Sequence, residues 1–177
     1  MDDNFTAGTA GSQPANWTVT AGTNTSALVF DDSGNKVLRF TDNNSSGRAL
    51  ARRTFTAQTD SVTFEWRVNT AAQWPYFGMR SGSTNATEMY FYSGGLRIRT
   101  SSGSDAQLAA MSTNTWYTIK VVANIGTDLC NVFLDGTQVG FNIGFRNAVS
   151  SIDNIEFASS NSQQGDVTID DVKVTSP

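Results

Sequence analysis

The segment from Trp74 to Thr100, WPYFGMRSGSTNATEMYFYSGGLRIRT, constrains this chain more than any other. Successive side chains of a β-strand point to opposite faces of its sheet. Read as three strands, the segment puts Phe77, Met79, Met89, Phe91, Leu96 and Ile98 on one face. The other face then carries Trp74, Tyr76, Arg80, Tyr90, Tyr92, Arg97 and Arg99. The first set is a core face. The second is unlike a solvated strand face, which would read Thr, Ser, Lys and Glu. Rings and guanidinium groups together stack on flat apolar surfaces and grip anions. Gly94-Gly95 reads as a two-residue hairpin turn, pairing Tyr92 with Arg97, Phe91 with Ile98 and Tyr90 with Arg99.

The rest of the chain reads as a scaffold for that face. In Val62–Asn69, Val62, Phe64, Trp66 and Val68 point inward, and Glu65 and Arg67 point outward. If this strand joins the same sheet, Glu65 and Arg67 extend the aromatic–arginine face. Ala27–Phe30 and Lys36–Phe40 form a hairpin through Asp31-Asp32-Ser33-Gly34-Asn35. Further strands fall at 49–55, 116–122, 129–134, 138–141, 151–158 and 166–174, and 101–115 reads as a loop. Roughly twelve short strands with no helical periodicity predict an all-β fold of two packed antiparallel sheets. Trp66 and Trp116 are expected in the core, with Trp17 covering one end.

Length and composition narrow the class. At 177 residues the chain suits one domain spanning 1–177, with a sizeable core. Charged residues make up only 16%, and Ser, Thr, Asn and Gly are abundant, as in extracellular β domains. No apolar run reaches the ~18–20 residues of a membrane helix. Met1 is followed at once by Asp-Asp-Asn-Phe, so we expect a module excised from a secreted protein, behind an added Met. Cys130 is the only cysteine and lies in phase with Val132 and Leu134, which predicts a buried structural thiol. The chain contains no His, which removes the usual activator of a nucleophile and the usual proton acceptor. The net charge of −4 and the lack of a basic run beyond Arg52-Arg53 argue against nucleic-acid binding. Nine of the twelve basic residues are Arg, whose planar fork suits carboxylates.

Several stretches share a family pattern: DDNFTAGTAGSQPANW, DDSGNKVLRF, ARRTFTAQTDSVTFEWRV, WYTIKVVANIGTDLCNVFLDGTQVG and GDVTIDDVKV. Together they resemble the concanavalin A-like, laminin-G-like jelly rolls found as accessory modules of secreted bacterial polysaccharide-degrading enzymes. The resemblance spans nearly the whole chain. It implies a β-sandwich jelly roll with its first and last strands side by side. In many such modules a structural calcium sits at that seam. Here the resemblance implies Asp3, Asn4 and Asp171 as ligands, with backbone carbonyls. Asp2, Asp166 and Asp170 add oxygens at the same two ends of the chain, which suits a hard cation. The plainer reading makes Asp170 and Asp171 solvent-edge residues. Zinc has no plausible ligand set without His and with one Cys.

The predicted function is that of a non-catalytic carbohydrate-binding module. Its expected ligand-binding residues are Trp74, Tyr76, Arg80, Tyr90, Tyr92, Arg97, Arg99, Glu65 and Arg67, on a concave sheet face. Sugar rings pack on aromatics, and several arginines suggest a uronate-containing polysaccharide. The expected partner is a polysaccharide or oligosaccharide, met as part of a larger multidomain enzyme, with no nucleic acid and no membrane. The runner-up is a laminin-G-like adhesin or structural domain that binds a protein or cell-surface glycan. The third reading is a polysaccharide lyase with Tyr90 or Tyr92 as base beside Arg97. Glycoside hydrolysis is disfavoured because Glu65, Glu88 and Glu156 are scattered and form no paired-carboxylate motif.

Overall fold

The computed structural model describes residues 1–71, 74–101 and 103–176. These form β1 (Asp2–Asp3), β2 (Thr18–Ala21), β3 (Thr25–Asp32), β4 (Asn35–Asp42), β5 (Ala49–Gln58), β6 (Ser61–Thr70), β7 (Tyr76–Ser81) and β8 (Thr84–Asn85). They continue with β9 (Met89–Tyr92), β10 (Gly95–Arg99), β11 (Asp105–Ala110), β12 (Tyr117–Asn124), β13 (Leu129–Leu134), β14 (Thr137–Gly144), β15 (Ile152–Ala158) and β16 (Val167–Thr175). No helix occurs among the described residues. The first sheet has the order β14-β13-β12-β6-β16-β4-β3, with β1 also on β16. The second has the order β11-β10-β9-β7-β15-β5-β2, with β8 on β7. The expected all-β sandwich of two antiparallel sheets is the architecture observed.

The core forms where the inward phases of the two sheets meet. Along β6 every second residue is buried, so Val62, Phe64, Trp66 and Val68 all face in. Phe64 stacks on Trp66 at 4.2 Å, and Trp66 meets Phe77 and Phe157 of the opposite sheet at 5.6 and 5.9 Å. Burying a side chain of this size stabilises the fold by about 1.5–3 kcal/mol. Trp17 closes one end, stacked on Phe157 at 5.8 Å, as expected. Cys130 is buried as expected, and desolvation pushes its thiol up to about 12.

The termini meet. Asp2 and Asp3 pair with Lys173 and Val172 of β16. They add to the sheet beyond the point where β4, paired at 167–169, leaves it. A bulge at Asp171, which adopts a positive φ of 48°, separates these two partners.

Four local expectations need correction. The hairpin of β9 and β10 turns at Ser93-Gly94, both at positive φ, and pairs Tyr90 with Arg97 and Phe91 with Leu96. Gly95 belongs to the strand, paired with Tyr92, and a Cβ there would stand 2.8 Å from the Gln107 side chain. The register is displaced by two residues, which leaves every side chain on its predicted face. Residues 105–110, expected in a loop, form the edge strand β11. Their Asp-Ala-Gln-Leu-Ala-Ala sequence has weak β-propensity, and the backbone of β10 recruits it. β6 lies in the first sheet, so Glu65 and Arg67 sit on the far side of the molecule from Tyr90. Trp116 is partly buried rather than core, against Arg67 on the outer side of that same sheet.

Candidate functional site

The outward face of the second sheet gathers the aromatic and arginine residues in rows across the strands. One row runs Leu50, Ala158, Tyr76, Tyr90, Arg97 and Gln107 over β5, β15, β7, β9, β10 and β11. The next runs Arg52, Glu156, Gly78 and then, across the sheet, Arg99 and Asp105, with Glu88 entering β9 between them. Seven strands with six gaps of ~4.8 Å make this face roughly 29 Å wide. Trp74, Tyr76, Arg80, Tyr90, Tyr92, Arg97 and Arg99 therefore share one face, as their phase predicts.

Their mutual packing is tighter than a bare strand face would give. Trp74 stacks on Tyr92 at 4.2 Å and on Tyr90 at 4.8 Å. Tyr90 is left 3% exposed, while Tyr92 keeps 39%. Trp74 holds this place through a backbone at positive φ and a bond from its amide to the Phe91 carbonyl, 2.7 Å. Tyr76 lies over Gly78, where a Cβ would stand 2.4 Å from the phenol oxygen. A side chain at position 78 would lift the Tyr76 ring off the sheet.

The arginines divide into paired and unpaired. Glu156, almost wholly buried, accepts from Arg80 at 2.8 Å and from Arg52. Glu88 accepts from Arg99 at 2.6 Å and from Arg146 at 3.1 Å. Arg99 also reaches Asp105 at 3.0 Å. Arg97 meets the Gln107 amide oxygen at 3.1 Å, and among the described residues it makes no ion pair and its buried Nε has no partner. Arg48 is exposed and makes no ion pair among the described residues. Four arginines thus share three carboxylates and two more stand beside them, so the face is positive in a chain whose net charge is −4.

A cleft of about 180 Å³ opens here, between Trp74, Tyr76 and Tyr90 on one side and Arg48 with Ser159–Ser162 on the other. A broader one of about 420 Å³ continues past Arg48 along Thr20, Leu50 and Arg52. Burial raises the Tyr76 phenol well above the ordinary tyrosine range, against the opposing pull of the Arg80 guanidinium. Burial, helped by a bond to Asp105, pushes the Tyr90 phenol up to about 12. Both phenols therefore stay protonated at neutral pH. Burial works against the Asp105 carboxylate, but bonds from Tyr90 and Arg99 hold it below the usual range.

The seam that the calcium expectation rests on is formed, but its residues do not fit the ion. Asp3 Oδ2 accepts from the Trp17 indole at 2.9 Å and from Arg53, and Oδ1 accepts from the Phe5 amide at 3.0 Å. A guanidinium already supplies the positive charge. Asn4 bonds to Thr6, and Asp171 lies 3.5 Å from Arg67. Asp170 is buried, accepting from Asn35 at 2.9 Å. Among the described residues no group of three or more Asp, Glu, His or Cys is placed to hold a metal.

Sequence reasoning missed Arg48, Arg52, Glu88, Glu156 and the Ser159–Ser162 connection as site residues. Opposite charges at 52 and 156 are visible in the sequence, but only strand pairing brings them together. No protein-family model matches the chain, and no curated protein matches it. Solved structures do match in fold. The chain superposes on part of a sialidase with a TM-score of 0.82 at 17% identity, covering 99% of this chain and 18% of that one. It matches the alginate lyase AlgAT5 from Polysaccharide Lyase family 7 with a TM-score of 0.62 at 12% identity, over 90% of this chain and 94% of that one. The carbohydrate recognition domain of Emp47p matches at 0.55 and 14% identity, over 97% of this chain and 92% of that one. The chain thus spans about a fifth of the sialidase's length. The fold is a concanavalin A-like jelly roll. No helix among the described residues is long and apolar enough to cross a membrane.

Proposed function

We propose that this protein is a non-catalytic carbohydrate-binding module that lays an acidic polysaccharide across the outward face of the second sheet. The observation that carries this reading is the cleft itself: an aromatic wall of Trp74, Tyr76 and Tyr90, with Arg48 beside it in no ion pair among the described residues and Arg99 held by Glu88. Aromatic rings take the C–H face of a sugar, and arginines beyond those neutralised by Glu88, Asp105 and Glu156 take carboxylates. Folds shared with a carbohydrate recognition domain and with an alginate lyase support a sugar ligand. A lyase role needs a phenol that gives up its proton readily; of its two candidate bases, the shift of Tyr90 runs the other way, and the assay for unsaturated product tests Tyr92.

The test is binding to alginate and polygalacturonate beside neutral glucans, by calorimetry and by electrophoresis in polysaccharide gels. The acidic polymers should bind more tightly and lose affinity as salt rises. Arg48→Ala should cost about 1.5–3 kcal/mol of that binding, the value of a charge-assisted bond. Trp74→Ala should cost about 1 kcal/mol or more through lost stacking. No unsaturated uronate should accumulate. Unchanged affinity in both variants would remove the face from consideration, and product release would make the protein a lyase.

A further inference from the structure

A second cleft, of about 230 Å³, lies on the outer face of the first sheet, on the opposite side of the sandwich. Phe30 on β3 and Trp116, just before β12, stand at its two sides, and Arg39, Thr168 and Asn69 form the strip between them. The strand order β3-β4-β16-β6-β12, with Arg39 opposite Thr168 and Thr168 opposite Asn69, puts those three polar side chains in one row. Phe30 remains 40% exposed and Trp116 is partly buried, and each takes a guanidinium against its ring, Arg39 at 4.4 Å and Arg67 at 4.9 Å. Large aromatics kept at a surface and joined to groups that both donate and accept hydrogen bonds match the mixed surface of a sugar, with its apolar C–H face and its hydroxyl rim.

The charge here is opposite to that of the first site. Arg39 is neutralised by Asp166, with Nε at 3.1 Å, and Asp32 adds a carboxylate in no ion pair among the described residues. The lining thus carries one negative charge in excess, and Arg67 behind Trp116 is taken by Asp171, so no cation is left for a uronate and neutral hydroxyls are the fitting partner. The same two connections build both clefts. The β6–β7 connection contributes Ala71 here and Trp74 to the other face, and the β15–β16 connection contributes Asp166 here and Ser162 there. We infer that the Phe30–Trp116 cleft is a second carbohydrate site, specific for a neutral glycan and independent of the first. Two sites at one end of the sandwich, on opposite faces, let one module bridge two chains of different charge.

The probes are cellohexaose, mannohexaose and xylohexaose, titrated by calorimetry and tryptophan fluorescence. At least one should bind the parent protein, with little dependence on salt. Trp116→Ala and Phe30→Ala should each weaken that binding about tenfold, while Trp74→Ala should leave it unchanged. Thermal melting checks folding, and the exposed Phe30 gives a variant that should fold even if Trp116→Ala does not. The inference fails if none of the three binds the parent, if Phe30→Ala and any folded Trp116→Ala bind as the parent does, or if Trp74→Ala abolishes the binding. Binding of alginate is read separately, so failure of the first site leaves this result intact.

Discussion

The indole of Trp74 lies almost parallel to the ring of Tyr90, 4.8 Å away and 13° off plane. Arg99 sits over the same tyrosine at 5.1 Å. Tyr90 is therefore an outward residue that has become interior, covered by its own neighbours, and Trp74 and Tyr92 carry the exposed part of the stack.

This arrangement separates two substitutions that look equivalent in the sequence. Tyr90→Ala should cost about 3 kcal/mol of stability, as other deletions of buried aromatics do. Tyr92→Ala, on a ring 39% exposed, should cost about 1 kcal/mol or less. Urea unfolding of the two variants measures the difference. Equal midpoints would mean that Trp74 does not cover Tyr90 in solution.

The raised Tyr90 phenol makes stability depend on alkaline pH. Its value is about 12 in the folded chain against an ordinary 10.0. Below pH 10 both states keep the proton and the contribution is intact. Between 10 and 12 the unfolded chain loses the proton first, so stability falls as pH rises. Tyr90→Phe should show a shallower fall across that window. An identical slope in parent and variant would refute the shift.

Asp3 and Arg53 should behave as an ion pair that ties the first strand down. Arg53→Ala leaves a partly buried carboxylate without its cation and should lower the melting temperature by several degrees. Chelation of the parent protein should leave its melting temperature unchanged. A clear drop on chelation, restored by calcium, would return the ion to the seam.

Cys130 should be unreactive in the folded protein. Burial leaves it 2% exposed and pushes its thiol up to about 12, so little thiolate exists at about pH 8. An aromatic disulfide reagent should react only at the rate of unfolding and rapidly in denaturant. Fast labelling of native protein would contradict its place in the core.

Alternation is a local property, and it was enough to assign Met89, Phe91, Leu96 and Ile98 to the core and Tyr90, Arg97 and Arg99 to the other face. It tolerated an error of two residues in the hairpin because a shift by two preserves the face. The resemblance in the two terminal segments was likewise enough to put β1 beside β16. Neither could say which strands share a sheet. Glu65 and Arg67 have the right phase and the wrong sheet, since β6 pairs with β12 and β16.

The side chains by themselves determined an all-β sandwich with one aromatic–arginine strand face, because strand periodicity and apolar burial act over a few residues. Tertiary structure alone decided which charges on that face remain available. Arg52 and Arg80 converge on Glu156, from positions 104 and 76 residues away in the chain, and Arg99 and Arg146 converge on Glu88. A buried carboxylate must be paired, so it takes whichever cations the topology brings to it. Arg48 and Arg97 are left on the outward face of the sheet in no ion pair among the described residues.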